Sequence, residues 1–209
     1  MADQGGVHAE HPFETPGDQR DPARRFRGRL AAPVTIITSG SGEHRTGLTV
    51  SSLVVAEGDP SAIYFLLGST TDLFYGLEET GKFVVHVLEG GDHALADIFA
   101  GLRPSPGGRF ANVAVEQTEW GPVLTDVKTR AYCTFEGGDE ETFFIVAEGR
   151  IDKLELSDIR QPDRMSEAER VYGTTDDTHH AVHHLKSVSN PVYLGGRIRG
   201  VEPPTYYDF

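Results

Sequence analysis

This 209-residue sequence is short of positive charge: 19 Lys and Arg stand against 32 Asp and Glu, a formal net charge of −13. A surface of that sign is a poor match for nucleic acid, whose phosphates call for Lys and Arg contacts. It is equally poor for an anionic membrane face. Cysteine is nearly absent, with Cys133 standing alone, so an intrachain disulfide and a cysteine-rich zinc site are both excluded. Long apolar runs are missing too, and none approaches the roughly 18 residues of a membrane span. The opening stretch MADQGGVHAEHPFETPGDQRDP holds no apolar segment of signal-peptide type. The expected location is therefore the cytoplasm. Apolar residues make up 38% of the chain, low for a compact domain, which implies that part of the chain lies outside the core.

Length fits one domain with arms. Residues 1–27 show no apolar period and are rich in Gly, Pro, Asp, Gln and Arg, which predicts a mobile N-terminal arm. The arginine-rich run Arg20–Arg29 reads as the solvated junction between arm and domain. Short β-branched and aromatic runs then follow one another, separated by turn residues: PVTIITS, LTVSSLVVA, AIYFLLG, KFVVHVL, TRAYCTF, TFFIVAEG, RIDKLEL and VYLGGRI. That series predicts a mainly β protein, an antiparallel barrel or sandwich. Leu95, Ile98, Phe99 and Leu102 recur at helical spacing and predict one amphipathic helix between Gly91 and Gly101. A second, shorter one is expected over Thr71–Glu79. Residues 155–186 are polar and acidic and read as a helical insertion, and residues 202–209 as a C-terminal tail.

Two hydroxyl clusters need a reason. TGLTVSS at residues 46–52 places Thr49 and Ser51 on one strand face and Leu48, Val50 and Ser52 on the other. Buried hydroxyls require partners, either neighbouring strands or a ligand rich in donors and acceptors. Ser69, Thr70 and Thr71 follow Gly68 at a strand end and lead into the expected short helix, an arrangement able to offer hydroxyls and backbone N–H groups to a phosphate. His86 is a polar residue inside an otherwise apolar strand, FVVHVL. His179, His180, His183 and His184 lie at i, i+4 spacings that would suit a metal on a helix, but neither an HExxH pattern nor a third ligand accompanies them. The expectation is a polar helix and no metal site.

The order TIITSG, TGLTVSS, DPSAIYFLLGSTT and GKFVVHVLEGGDHALADIFAG, continued by Arg109-Phe110, Ala131-Tyr132-Cys133 and Pro191-Val192-Tyr193, resembles the flavin reductase domain, the FMN-binding split barrel. The resemblance covers about residues 28–154 and 187–201. It implies a six- or seven-stranded split β-barrel with flanking helices, a domain over residues 28–201, and a homodimer with flavin at the subunit interface. It also implies NADH- or NADPH-dependent reduction of FMN or FAD, the reduced flavin passing to a partner monooxygenase. By carry-over, Thr49, Val50, Ser51 and Ser52 approach the flavin ring and ribityl chain. Ser69, Thr70 and Thr71 take its phosphate, and His86 stands near the ring, where the family has Asn. No catalytic side chain is implied, because hydride transfer between two positioned rings needs no protein acid or base. The family's Gly-Asp-His-Thr element reads GGDEETFF here, with Glu140 or Glu141 in place of the histidine near the nicotinamide. A carboxylate there disfavours the dinucleotide's phosphates. The alternative reading is therefore a flavin-binding split barrel without reductase activity.

Overall fold

The computed structural model describes residues 22–27, 29–89, 91–141, 144–157, 191–194 and 197–200. Seven strands form one antiparallel sheet. In chain order they are β2 (Thr35–Ser39), β3 (Thr46–Val50), β4 (Val54–Ala56), β5 (Ala62–Gly68), β6 (Lys82–Val87), β9 (Thr129–Glu141) and β10 (Phe144–Glu155). Their spatial order is β3-β2-β6-β9-β10-β5-β4. Two small sheets complete the β structure: the hairpin β7 (Val115–Thr118) with β8 (Gly121–Leu124), and β1 (Ala32–Pro33) with β11 (Pro191–Leu194) and β12 (Arg197–Gly200). The helices are α1 (Pro22–Arg27), α2 (Asp72–Thr80) and α3 (His93–Phe99). Among the described residues no helix is long and apolar enough to cross a membrane.

The two edge strands of the seven-stranded sheet, β3 and β4, are consecutive in sequence and separated only by Ser51, Ser52 and Leu53. A flat sheet of that width would hold its edges about 29 Å apart at ~4.8 Å per strand. The link spans at most about 14 Å. The sheet must therefore curl until its edges nearly meet, and the split barrel follows from that connection. Ser52 stitches the seam: its hydroxyl accepts from Leu66 N–H at 3.1 Å and donates to Leu66 C=O at 3.3 Å.

The inward faces of the curled sheet supply one core: Ile37, Val50, Ile63, Phe65, Leu67, Phe83, Val85 and Ala147, with Leu73 and Leu77 of α2 packed against them. Helix α2 is well specified locally. Thr71 caps its first turn by accepting from Phe74 N–H at 3.4 Å, and Gly81 ends it in the left-handed region at φ 64°. A second core lies on the outer side of β2 and β6, where Val34, Ile36 and Leu88 meet Ala96 and Phe99 of α3, together with Phe110 and Leu124. Strand β6 is thus covered on both faces, which is why its sequence is continuously apolar rather than alternating.

His86 belongs to this outer layer. Its side chain is fully buried. A carbonyl only accepts, so the contact of Nδ1 with Ile36 C=O at 3.1 Å places the proton on Nδ1. Nε2 is then bare and accepts from Leu124 N–H at 3.0 Å. The ring joins β2, β6 and β8. Burial above all pushes its pKa down to about 3; the Ile36 hydrogen bond opposes this and the Arg130 charge adds to it. The same hairpin is fastened by Thr38, which donates to Pro122 C=O. At its tip, Trp120 Nε1–H donates to Asp152 at 3.1 Å.

The elements depart from the sequence expectation in specific ways. LTVSSLVVA is two strands on opposite sheet edges, because Ser51–Leu53 is the seam. TFFIVAEG and RIDKLEL are one strand, β10, whose irregularities between Glu148 and Gly149 and between Ile151 and Lys153 mimic a break. VYLGGRI belongs to two paired strands, β11 and β12. The hairpin β7–β8 gave no signal, being four-residue strands that contain Glu116, Gln117 and Pro122. Residues 22–27, assigned to the arm, are helical. The rest of the arm, most of the 155–186 insertion including His179–His184, and the tail lie outside the described residues.

Two predictions follow from this packing. A Cβ at Gly47 would meet the Phe99 ring at 2.6 Å and Phe110 at 3.2 Å, so Gly47→Ala is expected to lower unfolding stability by about 1–3 kcal/mol in urea titration. His86 stays neutral in the fold while an unfolded histidine titrates near 6.5, so the unfolded chain binds more protons as pH falls. Stability from this residue is complete above pH ~6.5 and is lost progressively toward pH ~3. The loss is about 2 kcal/mol between pH 7 and pH 5, and that part of the slope should vanish in His86→Gln.

Candidate functional site

The two hydroxyl clusters, 17 or more positions apart in sequence, come together at the barrel seam. Ser52 is bonded to Leu66 in β5, and Gly68, two residues further along the same strand, opens the turn Ser69–Thr70. Thr71 N–H donates to Gly68 C=O at 3.1 Å and closes that turn onto α2. At ~3.4 Å per strand residue, the Ser69–Thr70 turn begins about 10 Å along the chain from the Ser52 stitch at Leu66.

Within this group some hydroxyls are committed to the fold. Thr49 donates to Ala96 C=O of α3 at 2.7 Å. Thr71 donates to Gly68 C=O at 2.9 Å and caps α2. Ser52 is the seam stitch. Val50 is buried in the barrel core at 4% exposure and offers only its backbone, whose carbonyl accepts from the Thr35 hydroxyl at 2.8 Å. Ser51, Ser69 and Thr70 are different: among the described residues their hydroxyls have no hydrogen-bond partner. Ser51 and Ser69 are half-buried and Thr70 is exposed. A half-buried hydroxyl without a partner is an opening for a polar ligand, and Ser51 and Ser69 are two such positions along one seam.

His86 does not join them. Both ring nitrogens are bonded inside the outer layer, so the expected contact with a flavin ring is not available in this geometry. Its polarity inside FVVHVL is explained by the Ile36 and Leu124 backbone groups it satisfies.

The start of β10, the second half of GGDEETFF, lies next to the same turn. Phe144 of β10 pairs with Gly68 of β5 and, on its other side, with Glu141 of β9. Beside it the outer face of β4, β5 and β10 is apolar and open: Val54 is 61% exposed, Leu66 45% and Phe144 50%. Reading the sequence for hydroxyls alone missed Leu66 and Phe144. The alternation of β5 and β10 about Phe65 and Ile145 was the signal that turns both outward.

Further along the chain, Arg109 and Phe110 hold the start of β3. Arg109 donates to Gly47 C=O at 3.0 Å, and Phe110 packs edge-on against Phe99 with ring centroids 5.1 Å apart. They position the strand that leads into the seam.

Comparison with known proteins agrees with this architecture. The chain is 32% identical over 142 residues to NADH-dependent FMN reductase AsuE2 of Streptomyces nodosus subsp. asukaensis, covering 65% of this chain and 74% of that one. It is 26% identical over 134 residues to the reductase component of 4-hydroxyphenylacetate 3-monooxygenase from Thermus thermophilus, covering 64% and 83%. Among solved structures, a nitrilotriacetate monooxygenase component B homologue from Mycobacterium thermoresistibile superposes with a TM-score of 0.67 at 20% identity, over 92% of each chain. A shorter match, 38% identical over 56 residues, is to a sulfate adenylyltransferase of Gibberella zeae and spans only 10% of that enzyme. The family described as "Flavin reductase like domain" matches residues 27–173, and with the split barrel in place this chain belongs to that family.

Proposed function

We propose that the protein is an NAD(P)H-dependent flavin reductase that supplies reduced flavin to a partner monooxygenase. The observation that carries the reading is the set of unpartnered hydroxyls at the seam, Ser51, Ser69 and Thr70, in a chain of this family. Ser69 and Thr70, at the entrance to α2, take the flavin phosphate. Ser51 faces the ribityl chain and ring edge. Thr49, Val50, Ser52 and Thr71 act by holding the seam and the turn in shape. Bound flavin supplies the hydride acceptor, and NADH or NADPH the hydride. The protein contributes position and exclusion of water, so no side chain needs to carry a proton. The names of the relatives, an FMN reductase and a monooxygenase reductase component, support both halves of the proposal.

Glu140 and Glu141 end β9, one strand beyond β10 from the phosphate turn. Negative charge there disfavours a dinucleotide carrying an extra 2′-phosphate, so NADH is the preferred donor. The working form is a homodimer. Its contact is the apolar outer face of β4, β5 and β10, which flanks the seam and would give the flavin a second wall. The exposed Val54 and Val55 of β4 add apolar surface beside that face.

The paired change Ser69→Ala and Thr70→Ala leaves the Thr71 cap intact and should weaken flavin binding by about 1–3 kcal/mol, read by fluorescence titration. Unchanged affinity would move the phosphate elsewhere. Flavin-dependent oxidation of NADH by the wild type separates a reductase from a flavin-binding protein without that activity. Light scattering should give a dimer at micromolar concentration, and Leu66→Asp with Phe144→Asp should give a monomer. A wild-type monomer would remove the two-walled site.

A further inference from the structure

A groove of about 190 Å³ lies between residues 43–46 and one face of α2. Asp72, Tyr75 and Glu79 line it at i, i+3 and i+7. This stripe runs about 10 Å along the helix, with a carboxylate at each end and the ring between them. Glu43 and Arg45 line the other side, and Thr46 borders the groove at 6% exposure.

Thr46 stands apart from the other buried polar side chains. Those of the described residues are Thr35, Thr38, Ser39, Thr46, His86 and Ser105. The other five are hydrogen-bonded within the fold, while the Thr46 hydroxyl has no partner among the described residues. Its methyl packs on Gly76 of α2, where an added Cβ would stand 2.6 Å away. A buried hydroxyl left unsatisfied calls for a ligand group, and the groove is the space that Thr46 borders. The carboxylates are unmatched as well. Among the described residues, Glu43, Asp72 and Glu79 make no side-chain hydrogen bond or ion pair. Arg45 does not pair with them; its guanidinium rests 5.1 Å from the centroid of the Phe110 ring. Glu79 stands in the last turn of α2, where the helix dipole disfavours a carboxylate, so helix stability does not explain it. Three carboxylates against one guanidinium leave the groove a formal charge of −2 with His44 neutral.

We infer that this groove binds an extended organic dication, a diamine of the polyamine type. Its two ammonium groups sit on the Asp72 and Glu79 carboxylates at the ends of the stripe. The methylene chain between them lies along the Tyr75 ring, which is 58% exposed and offers a face that is apolar and attracts cations. The Thr46 hydroxyl accepts from one ammonium N–H. Two positive charges match the formal excess of the groove. A metal ion does not suit the same residues: among the described residues no three His, Cys, Asp or Glu stand close enough to share one. Carboxylates spread over about 10 Å need a ligand of that length. The site uses none of the groups assigned to flavin, so it is tested apart from that reading.

Isothermal titration calorimetry on the full chain tests this with three probes. Octamethylenediamine spans the stripe, tetramethylenediamine is too short, and octylamine carries one charge. The long diamine should bind roughly tenfold more tightly than either of the others. Asp72→Asn and Glu79→Gln should each remove most of that preference. Thr46→Val should weaken diamine binding while leaving the urea midpoint of the free protein unchanged or higher, because it deletes a buried hydroxyl that the fold does not use. A lower midpoint in Thr46→Val would show that hydroxyl bonded within the fold and would overturn the assignment. So would equal binding of octylamine, or a preference that survives both carboxamide variants. Displacement of the diamine by equimolar Mg²⁺ would reduce the site to a counter-ion cloud, and tighter binding of trilysine would give it to a protein segment; either result overturns the proposal.

Discussion

Three residues govern this architecture. Ser51, Ser52 and Leu53 join the two outermost strands of a seven-stranded sheet, and their short reach forces the sheet to close on itself. Everything that positions the site depends on that closure. It brings β5 against the start of β4, puts the Ser52 hydroxyl on the Leu66 backbone, and places the Ser69–Thr70 turn beside the seam. The link cannot pair as an ordinary strand while it crosses between edges. A serine that bonds both backbone groups of Leu66 supplies what a strand neighbour would have supplied. The cost of a split barrel is a stretch of backbone without a ladder, and that stretch is where hydroxyls remain free.

A second layer makes the barrel rigid from outside. Helix α3 and the β7–β8 hairpin cover β2 and β6, and buried polar contacts fix the hairpin alongside its buried Val123 and Leu124. The neutral imidazole of His86 serves a carbonyl on one side and an N–H on the other, a pairing that only one tautomer can make. Asn in that position is shorter, and the difference in reach accounts for a histidine that bridges to the outer hairpin. Cys133 is another buried titratable group; burial first, then the Asp152 carboxylate, pushes its thiol up to about 12. It is a small apolar member of the barrel core, without thiolate chemistry at neutral pH.

The site combines these two layers. Hydroxyls of Thr49, Ser52 and Thr71 hold the frame, and those of Ser51, Ser69 and Thr70 have no partner among the described residues.

Much of this was legible in the sequence. The bounds of β5, the apolar run of β6 and both flanking helices follow from propensity and period, which are local properties. The order of motifs carried the family, and with it the barrel. What the sequence left undecided is which partner each polar atom takes. The stretch LTVSSLVVA has the composition of one strand, and only the closure of the sheet splits it. Thr49 looks as available as Ser51 until α3 brings the Ala96 carbonyl to it from 47 residues away. His86 alone in an apolar strand reads as a satisfied core residue, and only β8, from 38 residues away, supplies the N–H that satisfies it. Periodicity is set by neighbours along the chain. Hydrogen-bond satisfaction is set by neighbours in space, and for a seam, a buried imidazole and three free hydroxyls only the tertiary structure decides it.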